Sequence, residues 1–127
     1  MAKIFTVDDQ ASVRLTIRNL LEAAGHVVME ADDGRVLIER LTDDIDLVIT
    51  DMLMPEVDGI EVIGHVKRNF KNLPVLVVTG GWRDKTLDLI TIAEGLGADR
   101  AISKAQIRTD LVRTVAEMLQ ALPVSRP

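Results

Sequence analysis

Five short runs rich in valine and isoleucine alternate strictly with five stretches of helical period, and that alternation leaves the chain few architectures. The runs are Lys3–Val7, Val27–Ala31, Leu47–Thr50, Val75–Thr79 and Arg100–Ser103, mostly bounded by Asp, Gly or Pro as buried strands are. In the first helical stretch Val13, Ile17, Leu20, Leu21 and Ala24 fall on one face, and Gly25 follows as a stop. In the last, Leu111, Val115, Met118, Leu119 and Leu122 do the same before Pro123. Helices that separate every pair of strands fit parallel pairing, because each crossover must climb back over the sheet. The expectation is an α/β fold: a parallel sheet with helices on both faces. The unbroken apolar runs DLVIT and VLVVT agree, since a strand covered on both faces has no polar side.

The length of 127 residues suits a single domain, one that buries roughly two-thirds of its unfolded surface. Only Phe5, Phe70 and Trp82 are aromatic, so the core is aliphatic. Cysteine is absent, which excludes disulfides and thiolate metal sites. The start, MAKIFTVDDQ, is no secretory signal, and no stretch reaches the ~20 apolar residues of a membrane helix. A soluble, cytoplasmic protein is expected, with no membrane association. The net charge of −5 argues against nucleic acid as a direct partner.

Open parallel sheets bind ligands outside the carboxyl ends of their strands. There, Val7 is followed by Asp8 and Asp9, the third strand leads into Asp51, the fourth ends at Thr79, and Ser103 is followed by Lys104. Three carboxylates, a hydroxyl and an ammonium thus meet on one edge. Carboxylates crowded together repel, and a divalent cation removes the conflict. With oxygen ligands and no His or Cys at hand, the ion expected is Mg²⁺. A carboxylate can also act as a nucleophile toward phosphorus, with cation, Lys and Thr stabilising the transferred group. Taken singly, Asp8 and Asp9 could be a cap and a turn, Asp51 a strand terminus, Thr79 a backbone-bonded hydroxyl, and Lys104 a surface charge. Their joint occurrence at four strand ends favours the functional reading. His26 and His65 stand apart from this edge, and Met52 and Met54 read as packing.

The segment Asp46 to Ile63, DLVITDMLMPEVDGIEVI, resembles the phosphoacceptor stretch of response-regulator receivers of the CheY-like type. The pair Asp8–Asp9, Thr79 and Lys104 sit where that family places its acidic pair, hydroxyl and lysine, and the resemblance covers residues 1–127 as a single receiver domain. It implies a flavodoxin-like, doubly wound fold: five strands in the order 2-1-3-4-5 with five helices. It also implies a phosphoacceptor module of a two-component or phosphorelay system, not an enzyme beyond self-phosphorylation and slow self-dephosphorylation. Asp51 would take the phosphoryl group from a histidine kinase or histidine phosphotransfer protein and so switch binding to a downstream target. Asp9, Asp51 and the carbonyl of Leu53 would ligate Mg²⁺, with Asp8 acting through water, while Thr79 and Lys104 would hold phosphoryl oxygens.

Two positions depart from the family pattern. Ala105 stands where proline usually follows the lysine through a cis bond, and cis before a non-proline residue costs about 2.5–4 kcal/mol. The Lys104–Ala105 peptide is therefore either trans, with a shifted loop, or cis and strained. Ala101 replaces the family's switch aromatic, so output by a rotating ring is not expected. In the fourth helix Leu89, Ile92, Ala93 and Leu96 form the expected core stripe, and Leu87 points away, toward a docking or dimer surface beside the fifth strand. Trp82 reads as a partner contact or a loop anchor, and Leu53 and Gly81 flank the path of a water toward Asp51. Two other functions compete. An aspartyl-nucleophile phosphatase would want an acid two residues after the nucleophile, where Leu53 stands. A phosphate-independent scaffold would have no need of the intact acidic pair, Asp51, Thr79 and Lys104.

Overall fold

The computed structural model describes residues 1–80 and 86–121, and of Thr86 and Leu87 the backbone only. The strands are β1 (Lys3–Val7), β2 (Val27–Ala31), β3 (Leu47–Thr50), β4 (Val75–Thr79) and β5 (Arg100–Ser103). The helices are α1 (Ala11–Ala23), α2 (Gly34–Arg40), α3 (Gly59–Asn69), α4 (Thr86–Gly95) and α5 (Ile107–Gln120). All strand pairs are parallel and the sheet order is β2-β1-β3-β4-β5, as expected. Every residue of β3 and β4 is buried, so alternate side chains feed two separate cores. Phe5, Val48, Val75 and Val77 meet Val62, Ile63, Val66 and Ala93 of α3 and α4 on one face. Ile4, Ile49, Leu76 and Val78 meet Ile17, Leu21, Leu111 and Val115 of α1 and α5 on the other. Each such Leu, Ile or Val gains about 1.5–3 kcal/mol over its exposed state.

The chain turns where its residues dictate. Gly25 takes φ +94 at the end of α1, open to glycine and costly to others. That turn lets the His26 N–H reach the Leu21 carbonyl at 3.0 Å and the Gly25 N–H reach Glu22 at 2.9 Å, closing the helix. Asp58 caps α3 by accepting the Glu61 N–H at 3.1 Å. Gly59 then starts the helix so near β3 that an added Cβ would lie 2.3 Å from the Asp51 carbonyl oxygen. The Asp-Gly pair of the sequence motif is therefore what seats α3 directly behind Asp51.

Two expectations need correction. Ala24 is exposed rather than part of the α1 core face. Among the described side chains of α4 only Ala93 is fully buried, whereas Ile92 and the following Leu96 are 49% and 45% exposed. That helix is only weakly amphipathic, so its period could not say which part of its apolar side faces inward. Of the two alternatives left open at Lys104–Ala105 the trans one holds, since no cis bond occurs among the described residues. Residues Lys104–Gln106 instead form a tight turn, in which Gln106 Oε1 accepts the Ser103 N–H at 2.8 Å. The expectations for Gly81, Trp82, Leu122 and the Leu87 side chain lie outside the described residues.

Candidate functional site

Parallel register brings the carboxyl ends of four strands level: Val7 pairs with Thr50, and Thr79 with Ser103. The residues just beyond those ends are therefore thrown together, and every site residue expected from sequence meets there. One oxygen from each of Asp8, Asp9 and Asp51 lies within 4.8 Å of the others. Asp8 and Asp51 are buried and Asp9 is exposed. Lys104 enters from the β5 end and places Nζ 2.8 Å from Asp51 Oδ2 and 3.1 Å from Asp8 Oδ2. Its stem runs over Gly80, where an added Cβ would lie 3.3 Å from Lys104 Cδ. Thr79 is fully buried and its hydroxyl has no hydrogen-bond partner among the described residues, an arrangement that costs free energy unless something else occupies the site. Leu53 is 54% exposed at the rim, and its N–H donates to Asp51 Oδ1 at 3.3 Å.

Three carboxylates against one ammonium leave two negative charges uncompensated. Burial pushes the Asp8 carboxyl above its ordinary 3.8, and the Asp51 charge adds to this, despite the Gln10 N–H and Lys104. Burial alone would lower Lys104. Its bonds to Asp51 and Asp8 outweigh that, so its pKa rises above 10.5 and it remains a cation. The surplus of two charges on hard oxygen donors matches a divalent cation of the Mg²⁺ type, and the unpartnered Thr79 hydroxyl faces the same requirement for a polar occupant. A cavity of about 290 Å³ is lined by Asp9, Gln10, Asp51, Leu53, Thr79, Gly80 and Lys104. A larger one, about 420 Å³, lies at the opposite end of the sheet, but four of its five charged groups are already paired, Lys67 with Asp99 and Arg100 with Glu117.

His26 and His65 lie away from this edge: His26 accepts the Ala2 N–H at 3.1 Å, and His65 contacts Asn69. Met52 and Met54 pack in the core. Ala101, half-buried beside Val77, holds no ring. One site residue was not expected. Gln10 Oε1 accepts from Lys104 Nζ at 2.7 Å. Its signal in the sequence is weak: it precedes a helix, where Ser, Thr, Asp or Asn would be usual.

Comparison with known proteins agrees with this geometry. The family model described as response regulator receiver domain matches residues 4–116. The receiver domain protein from Clostridium thermocellum is 29% identical, with a TM-score of 0.82 over 94% of this chain and 95% of that one. TrrA from Thermotoga maritima, solved in complex with Mg²⁺–BeF, is 26% identical with a TM-score of 0.78, covering 93% and 99%. Among curated proteins, the transcriptional regulatory protein CpxR of Escherichia coli is 32% identical over 94% of this chain and 50% of its own length. The CAI-1 autoinducer sensor kinase/phosphatase CqsS of Vibrio cholerae is 35% identical over 90% of this chain and 17% of its own. The chain thus spans about half the length, or less, of these curated relatives. No helix among the described residues is long and apolar enough to cross a membrane. Fold, acidic edge and sequence match agree: the chain belongs to the response regulator receiver domain family, the phosphoacceptor signalling modules of two-component systems.

Proposed function

We propose that Asp51 is the phosphoacceptor, that Asp9, Asp51 and the Leu53 carbonyl hold Mg²⁺ with Asp8 acting through water, and that Thr79 and Lys104 hold the phosphoryl oxygens. The observation that carries this reading is the meeting of three carboxylates within 4.8 Å beside a buried, unpartnered threonine hydroxyl and a lysine ammonium. Asp8 suits the outer role because both its oxygens are engaged, Oδ1 by the Gln10 N–H at 2.8 Å and Oδ2 by Lys104. Asp9 is exposed and has no partner among the described residues, so it suits direct ligation. Bound Mg²⁺ would neutralise charge on the transferred group.

In the reaction an Asp51 carboxylate oxygen attacks phosphorus of the donor. The new O–P bond forms as the bond from phosphorus to the donor's histidine nitrogen breaks, and that nitrogen keeps the electron pair. Lys104 turns a hydrogen bond from Asp51 to a phosphoryl oxygen, and the Thr79 hydroxyl donates to another. Lys104 stands 2.8 Å from Asp51 beforehand, so its part in the transfer needs little reorganisation. A histidine kinase or histidine phosphotransfer protein is the proposed donor, and a downstream protein the target. We propose a dimer or docking surface on α4 and β5, where Ile92 and Leu96 are exposed. The net charge of −5 disfavours nucleic acid as a direct partner of this chain, although several relatives are transcriptional regulators about twice its length. The phosphatase alternative is disfavoured by Leu53, which offers no proton to a leaving group.

With Mg²⁺ and acetyl phosphate, intact-mass measurement should find one added phosphoryl group on the wild type and none on Asp51→Asn. Equal labelling of the two would remove Asp51 from the mechanism.

A further inference from the structure

We infer that Gln10 is a positioning residue for Lys104: together with Asp8 it fixes two of the ammonium's three N–H donors on the loop between β1 and α1, so that the third is aimed at Asp51 and the phosphoryl group it carries. The inference rests on the proposed role of Asp51 and adds a residue to that site.

A lysine ammonium has three donors, and Lys104 has three acceptors around it: Gln10 Oε1 at 2.7 Å, Asp51 Oδ2 at 2.8 Å and Asp8 Oδ2 at 3.1 Å. Two of those acceptors belong to one short loop. The Gln10 N–H in turn donates to Asp8 Oδ1 at 2.8 Å. Asp8, Gln10 and Lys104 therefore close a ring of hydrogen bonds, and a long, flexible side chain that could adopt many rotamers is held at two points. Only the bond to Asp51 can be handed to a phosphoryl oxygen without breaking the ring.

The position of Gln10 gives a second reason to look for such a role. It is the N-cap residue of α1, and its side chain makes no cap bond. A Ser, Thr, Asp or Asn there would satisfy a helix N–H. None of those shorter side chains has glutamine's reach toward Lys104. The amide is turned away from its own helix and toward the site, and it lines the cavity with Asp9, Asp51 and Thr79.

A double-mutant cycle over Gln10→Leu and Lys104→Ala tests this, with acetyl phosphate and Mg²⁺ as the probe and the rate of Asp51 labelling as the first readout. Gln10→Leu should slow labelling about fivefold in the wild-type background, the weight of one net hydrogen bond, and should change nothing further once Lys104 is alanine. Gln10→Glu, which keeps an acceptor at the same reach, should restore the rate at saturating donor, while the added charge raises the donor concentration needed for half-saturation. The second readout is unfolding stability of the metal-free protein, where Gln10→Leu should again be coupled to Lys104→Ala. The same fold-loss in both Lys104 backgrounds, or no loss in the wild-type background, would overturn the inference while leaving Asp51 as the acceptor. A wild type that takes up no phosphoryl group would overturn the reading of the site itself, and this inference with it.

Discussion

Asp8 and Asp9 are adjacent in the chain and opposite in circumstance. Asp8 is buried, with both oxygens engaged, and its carboxyl is pushed above the usual range by burial and by Asp51. Asp9 is exposed at the mouth of the cavity. A cation therefore finds Asp9 ready and must share Asp8 with Lys104. Asp9→Asn should weaken Mg²⁺ binding on the order of tenfold, and Asp8→Asn by less, as followed by calorimetric titration. Mg²⁺ should also raise the wild-type Tm, because the ion binds the folded form and relieves its carboxylate repulsion. Equal losses from the two variants, or an unmoved Tm, would contradict this assignment. At this scale the sequence was informative where a residue follows a strand end, since strand ends in a parallel sheet converge. It was silent on Gln10, whose role depends on a bond to Lys104 across 94 residues of chain.

At the scale of the element, the five strands were legible to the residue and α4 was not. Strands buried on both faces are written as unbroken Val and Ile runs, and Asp, Gly and Pro mark their ends. In α1 and α5 a polar side defines the inward face, so Ile17, Leu21, Leu111 and Val115 could be placed in advance. In α4, Leu89, Ile90, Ile92, Ala93 and the following Leu96 spread over an arc of roughly 160° at about 100° per residue, and contact with the sheet selects Ala93 as the buried point among the described side chains. Ile92 and Leu96 are left half-exposed, which favours a role in association. Replacing both by glutamate should leave unfolding stability within about 0.5 kcal/mol per site, as for ordinary surface positions. The same double variant should abolish any self-association that the phosphorylated wild type shows in sedimentation. A phosphorylated variant that still associates like the wild type would place the interface elsewhere.

Across the whole molecule, the alternation of strands and helices was enough to require a parallel sheet covered on both faces, but not to order its strands. The order β2-β1-β3-β4-β5 came from resemblance to receivers, and the structure bears it out. That order matters for function, because it sets β1 and β3 side by side and so brings Asp8 and Asp9 to Asp51. The trans peptide at Lys104–Ala105 shows how the lysine reaches the site with alanine after it: the Ser103–Gln106 turn directs the chain, and Gly80 leaves room for the stem. The proposed chemistry requires Asp51 to be the one acceptor. Its most direct test is to phosphorylate the protein with acetyl phosphate and Mg²⁺, reduce it with borohydride, and sequence the peptides by mass spectrometry. An acyl phosphate is reduced to an alcohol, so the predicted result is homoserine at residue 51 and unmodified aspartate at residues 8 and 9. Homoserine at either of those two positions, or aspartate retained at 51 in labelled protein, would contradict it.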